Sequence, residues 1–166
     1  DYLIDRAGFP CPVIEFVVRG AGRLEMGGRA CDLTPGMVFL YGPHVPHRIT
    51  ADQHSPLVKY FVGFAGERAM AMVRGAGLRV GSVLRAARVE QLQDIFDELI
   101  RLGLSDHAGR KKLCAIAALT LAKAATAGAQ GRINSSPTPR TERPNASEPK
   151  AISNATGTAM SMWPRP

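Results

Sequence analysis

Two of the four histidines, His44 and His47, stand three residues apart in Gly42-Pro43-His44-Val45-Pro46-His47. Two prolines stiffen this loop, because each fixes its own φ. Such a pair can share a metal ion. A catalytic metal, however, needs several converging ligands with coordination positions left open. No histidine precedes His44, and His54 in the next polar loop reads as a solvated side chain. Cys11, Cys31 and Cys114 are scattered, and no pair has the close spacing of a zinc site. No serine sits in a nucleophile elbow, and the glycine-rich turns lack the Lys-Ser/Thr of a phosphate loop. The residues therefore name no catalytic group, no resident metal and no cofactor. Lys59 is different, because it interrupts an otherwise apolar strand face. It either snorkels from a strand end or serves a pocket.

These residues fall among short elements with dense punctuation. Val13–Arg19 is apolar and β-branched, and Arg23–Met26 alternates as a half-buried strand should. Gly27-Gly28 supplies a two-residue hairpin turn before Arg29–Leu33. Thr34-Pro35-Gly36 turns the chain into the apolar strand Met37–Tyr41. His47–Thr50 and Leu57–Phe64 complete the set, around the polar loop Ala51–Pro56. Many short strands at this spacing predict a sandwich or barrel. In the last strand Leu57, Lys59, Phe61 and Gly63 share one face, while Val58, Tyr60, Val62 and Phe64 share the other. Both faces are mostly apolar, so the strand is expected to be covered on both sides, by an interior and by a packed helix.

From Gly66 the pattern becomes helical. Glu67–Gly75 carries a short stripe of Ala69, Met72 and Val73. Arg88–Leu102 repeats Val89, Leu92, Ile95, Phe96, Leu99 and Ile100 at three- and four-residue spacing, and Gly103 stops it. Lys111–Ala125 gives a second amphipathic helix. Two such helices can cover the β-domain, pack on each other or meet a second subunit. From Thr126 onward Ser, Thr, Asn, Pro, Ala and Gly dominate, and disorder is expected there.

The 166 residues suffice for one domain and a tail, and at 45% hydrophobic they can build a core. Residues 1–125 carry 16 basic and 12 acidic side chains, and residues 126–166 carry 5 and 2. The excess is spread rather than clustered, so it marks no nucleic-acid face. No stretch approaches the roughly 20 apolar residues of a membrane helix, and no secretory signal opens the chain. Starting with Asp1, the sequence is expected to lack a few initial residues. Scattered, odd-numbered cysteines fit a reducing cytoplasm.

Residues 6–75 resemble the N-terminal domain of the AraC/XylS family of transcription regulators. The resemblance rests on Arg6…Gly8-Phe9 and Phe16-Val17-Val18-Arg19-Gly20-Ala21-Gly22. It continues through Leu33-Thr34-Pro35-Gly36-Met37-Val38-Phe39-Leu40 and Pro43-His44-Val45-Pro46-His47. It ends on Tyr60-Phe61-Val62-Gly63-Phe64-Ala65-Gly66-Glu67-Arg68-Ala69. The implied fold is mainly β with C-terminal helices: a cupin-like β-barrel (jelly roll) with two to three outer α-helices. The implied organisation is an effector-binding barrel over residues 1–66, outer and dimerisation helices over 67–125, and a disordered tail over 126–166.

The resemblance implies an effector-sensing and dimerisation domain, not an enzyme. Its partners would be a small-molecule effector, a sugar or another metabolite, and a second copy of the chain. Effector-binding positions carry over to Arg6, His47, Ile49, Lys59 and Phe61. A sugar site wants an aromatic face plus charged donors, which Phe61, Arg6 and Lys59 can provide, although Ile49 stands where relatives place a tyrosine. The dimer contact is expected at Leu92, Ile95, Phe96 and Leu99. DNA would be bound only through a helix-turn-helix domain that does not follow Ala125; Pro137, Pro139, Pro144 and Pro149 would break its helices. A truncated or frameshifted relative would look like this. The alternatives are a stand-alone metal-dependent cupin isomerase or oxygenase, and a dominant-negative dimerisation partner of a full-length regulator. For the enzyme, His47 sits where the second cupin motif keeps its histidine. The first motif's His-x-His pair is absent, and Glu15 is displaced in register from the motif carboxylate.

Overall fold

The structure, a computed structural model, describes residues 2–63, 69–104 and 136–137. The elements are β1 (Leu3–Arg6), β2 (Val13–Arg19), β3 (Gly22–Met26), β4 (Arg29–Leu33), β5 (Met37–Tyr41), β6 (His47–Ala51) and β7 (Val58–Gly63), followed by α1 (Ala69–Gly75), β8 (Ser82–Arg85) and α2 (Val89–Leu104). A two-residue β9 (Ser136–Pro137) pairs with β4. The second helix expected at Lys111–Ala125 and nearly all of the expected tail lie outside the described residues.

The strands form two antiparallel sheets, ordered β1-β6-β3-β4-β9 and β7-β2-β5-β8. The two sheets make a cupin-like β-sandwich, consistent with the cupin-like jelly roll that the resemblance implies. Local chemistry fixes its register. Gly27 and Gly28 both adopt positive φ, 58° and 77°, and Met26 pairs with Arg29 across them. Two successive left-handed residues make the tight turn whose twist matches paired strands. At Gly20 (φ 85°) the chain passes so close to the 51–57 loop that a Cβ would lie 2.0 Å from the Pro56 carbonyl oxygen.

Alternation along the second sheet sorts its side chains onto two faces. Val13 and Val17 of β2 and Met37, Phe39 and Tyr41 of β5 face the first sheet, where Leu24, Met26, Leu33 and Ile49 complete a buried cluster. Ile14, Phe16, Val38, Leu40 and Val62 face the other way. There they meet Leu92, Phe96 and Leu99 of α2 and Val73 of α1. Phe16, Tyr60 and Phe96 stack in near-parallel orientation, with Tyr60 and Phe96 centroids 5.1 Å apart. The β7 strand is thus covered on both sides, with Phe61 toward the first sheet and Tyr60 and Val62 toward α2.

Three strands go beyond the sequence expectation, and one of them, β9, falls in the stretch expected to be disordered, where Ser136 and Pro137 pair with Ala30 and Arg29 of β4. β1 has exposed residues at three of its four positions, so it carries no alternation to read. β8 lies inside the stretch read as mainly helical. It has only Val83 and Leu84 as apolar residues, and its pairing with β5 comes from a long-range register.

Candidate functional site

Within the apolar interior of the sandwich stands a small set of polar groups. Glu15 is 2% exposed on β2, directly opposite Phe39 of β5 and Phe61 of β7. Tyr41 and Lys59 are each two residues along from those partners. They are therefore the diagonal neighbours of Glu15 on the same sheet face, within reach of long side chains. Tyr41 donates its hydroxyl proton to Glu15 Oε1 at 2.6 Å, and Lys59 Nζ donates to Oε2 at 2.5 Å. Both carboxylate oxygens are thus engaged. Burial, and then the adjacent Glu15 carboxylate, push the Tyr41 phenol far above its ordinary range, so it stays a donor.

His47 enters from the opposite sheet. The turn Gly42–Val45, closed by Val45 N–H donating to the Gly42 carbonyl, places it at the start of β6, and His44 takes a positive φ of 60° there. The His47 ring stacks on Tyr41 with centroids 3.9 Å apart. Its Nδ1 is 3.1 Å from the Val45 carbonyl oxygen. A carbonyl only accepts, so Nδ1 carries the proton and donates. In the neutral ring Nε2 is then a bare lone pair, and it is buried without a partner. Desolvation lowers the His47 pKa, opposed in part by the Val45 carbonyl and Glu15, and Arg6 and Lys59 reinforce the lowering. The ring is neutral near pH 7.

Arg6 marks the outer end of this set. It pairs with His47 across β1 and β6, and its guanidinium carbon lies 5.3 Å from the centre of the Phe9 ring. Phe9 in turn meets Tyr41 edge-on at 6.0 Å. Arg6 is exposed and has no carboxylate partner among the described residues, whereas its neighbour Asp5 is held by Arg48 at 2.6 Å. The cluster thus runs from a surface cation to a buried imidazole. Among the described residues no group of three or more His, Cys, Asp and Glu side chains is placed to hold a metal ion.

The comparison with known families fits this geometry. The model of an AraC-like ligand binding domain matches residues 5–119. The chain belongs to that family. Comparison with curated proteins finds no match. In this AraC-like domain, the five positions carried over from the resemblance fall close together. His47 and Ile49 share the inward face of β6, Lys59 and Phe61 share that of β7, and Arg6 stands opposite His47. Ile49 is fully buried, as part of the apolar wall. Lys59 does not snorkel outward but turns toward Glu15.

The structure adds Glu15 and Tyr41 to the set. The signal for Glu15 was a lone carboxylate in the apolar run Val13–Arg19, matched by a lone lysine in another apolar strand. Nothing but the register reveals that they meet. Tyr41 gave no signal, because a tyrosine ending a wholly apolar strand looks like core. His44 does not join the cluster; it serves the turn.

Of the four residues expected at a dimer contact, Leu92, Phe96 and Leu99 are 0–3% exposed against the second sheet of their own chain. Ile95 is half-buried at the border of that contact. Among the described residues no helix is long and apolar enough to cross a membrane.

Proposed function

We propose that this AraC-like domain senses a small-molecule effector in the interior of the sandwich, at the cluster of Arg6, Glu15, Tyr41, His47 and Lys59 walled by Ile49 and Phe61. The observation that carries this reading is the unpartnered, buried Nε2 of His47. A buried polar atom left unsatisfied costs about 1–3 kcal/mol. An effector that hydrogen-bonds this atom removes that cost. Small ligands are typically held by apolar walls with a few placed polar groups, which this cluster supplies. The role is regulatory binding rather than catalysis.

Thermal melting against a panel of sugars and small acids tests the site. A ligand that binds only the folded state raises Tm. The shift is expected to vanish in His47→Leu, which keeps the packing volume and removes the acceptor. An equal shift in both proteins would place the effector elsewhere.

In the same reading the outer helices form a homodimer contact. With Leu92, Phe96 and Leu99 committed to the chain's own core, Ile95 is the one of the four that a partner can touch.

A further inference from the structure

We infer that the effector is a small hydroxy acid carrying a single negative charge, its hydroxyl donating to His47 Nε2 and its carboxylate paired with Arg6. The inference rests on the site proposed above and specifies what that site can take. It follows from counting which donors, acceptors and charges the cluster has already used.

A cation is excluded first. The interior carboxylate, Glu15, has both oxygens engaged by Tyr41 and Lys59. No free acid among the described interior groups is left to meet a positive ligand. The ligand atom facing His47 must be a donor. Nδ1 of the neutral ring is tied to the Val45 carbonyl, so Nε2 offers only a lone pair. A carboxylate oxygen there would set two acceptors against each other, while a hydroxyl satisfies the atom.

Charge decides the rest. Glu15 and Lys59 offset one another, which leaves Arg6 as the uncompensated charge of the cluster. It stands across one strand pair from His47, near enough to contribute to the depressed basicity of that ring. A planar guanidinium over an aromatic ring still presents its N–H edges, and these match a carboxylate in bidentate fashion. One cation calls for one negative charge; a dianion would leave a second charge without a partner. A neutral polyol would satisfy His47 and accept hydrogen bonds from Arg6, but it would leave the Arg6 charge uncompensated and forgo the stronger charge-assisted pairing.

The test uses matched probes on the whole chain. Lactate, mandelate and 3-hydroxybenzoate are each compared with the acid lacking the hydroxyl (propionate, phenylacetate, benzoate) and with the neutral hydroxy amide. A neutral pentose is the contrasting class. Affinity is read by calorimetry, and location by the 15N resonances of the His47 ring. The inference expects at least one hydroxy acid to shift Nε2, and its amide and its deoxy acid each to bind about tenfold more weakly. Arg6→Gln, a change at an exposed side chain, should bring acid and amide to equal affinity. If amides or the pentose shift Nε2 with affinity equal to or above the acids, the charge class is wrong while the interior site stands. If the acids bind without moving His47, the inference and the interior site fall together. If no member of the panel binds, the inference also falls.

Discussion

The Glu15–Lys59 pair sits at the centre of the site, with side chains 2% and 11% exposed. Taking two charges out of water is costly, and removing one partner of such a pair is worse than replacing both. Lys59→Met is therefore expected to cost about 3 kcal/mol, and the double variant Glu15→Leu/Lys59→Met distinctly less. Urea unfolding of the three proteins checks this; equal losses would mean that the pair is effectively solvated. His47 gives a pH signature of the opposite kind. Its folded pKa lies below the ordinary 6.5, so between those two values the unfolded chain binds more protons than the folded one. The stability that depends on neutral His47 is complete above about pH 6.5 and is lost as pH falls from there through the folded value. The groups facing this ring are Glu15 on β2, Tyr41 on β5, Lys59 on β7 and Arg6 on β1, and they remain in His47→Gln. Subtracting the stability of that variant from the parent's at each pH should isolate a loss in this window; a flat difference would show that His47 is not buried in neutral form.

At the scale of elements, α2 is bound by its stack more than by its polar contact. Tyr60 donates to Asp97 at 2.5 Å, and this bond, followed by burial, pushes the phenol pKa up to about 12. The bond is exposed, so Tyr60→Phe should cost at most about 1 kcal/mol. Phe96→Ala opens a cavity between Phe16 and Tyr60 and should cost about 3–5 kcal/mol. Thermal unfolding separates the two, and comparable losses would overturn the ranking. Leu92→Asp would place a charge in this same core, so it reports on folding and cannot report on association alone. The six strands from β2 to β7 were legible in the sequence because each carries its own alternation or apolar run and ends on a turn residue. β1 and β8 were not, since four residues with two adjacent apolar positions hold no period of their own. The two faces of β7 were readable from parity. What parity cannot supply is which strands become neighbours, and so the meeting of Glu15 with Lys59 and Tyr41 stayed hidden.

Over the whole molecule, the second sheet carries the polar cluster on one face and α2 on the other. Residues of one strand serve both: Lys59 faces the site, and Tyr60 faces the helix. Such a sheet can register an effector on its inner face and present the consequence on its outer one. Ile95→Asp addresses that outer surface, since its side chain borders the helix–sheet contact without filling it. Light scattering should find the parent dimeric and this variant monomeric, with circular dichroism showing the variant still folded and its melting no longer dependent on concentration. A monomeric parent would remove α2 as an assembly surface. The central claim, that the interior of the sandwich is where an effector binds, is most directly tested by methyl NMR of the chain during titration with the tightest-binding effector found. Ile49, Met26 and Met37 report on the interior, while Ile14 reports on the buried face toward α2 and Ile95 on the helix border. The account predicts that the first three move early and most. Perturbation confined to Ile14 or Ile95, with Ile49 and Met26 unmoved at saturation, would contradict it.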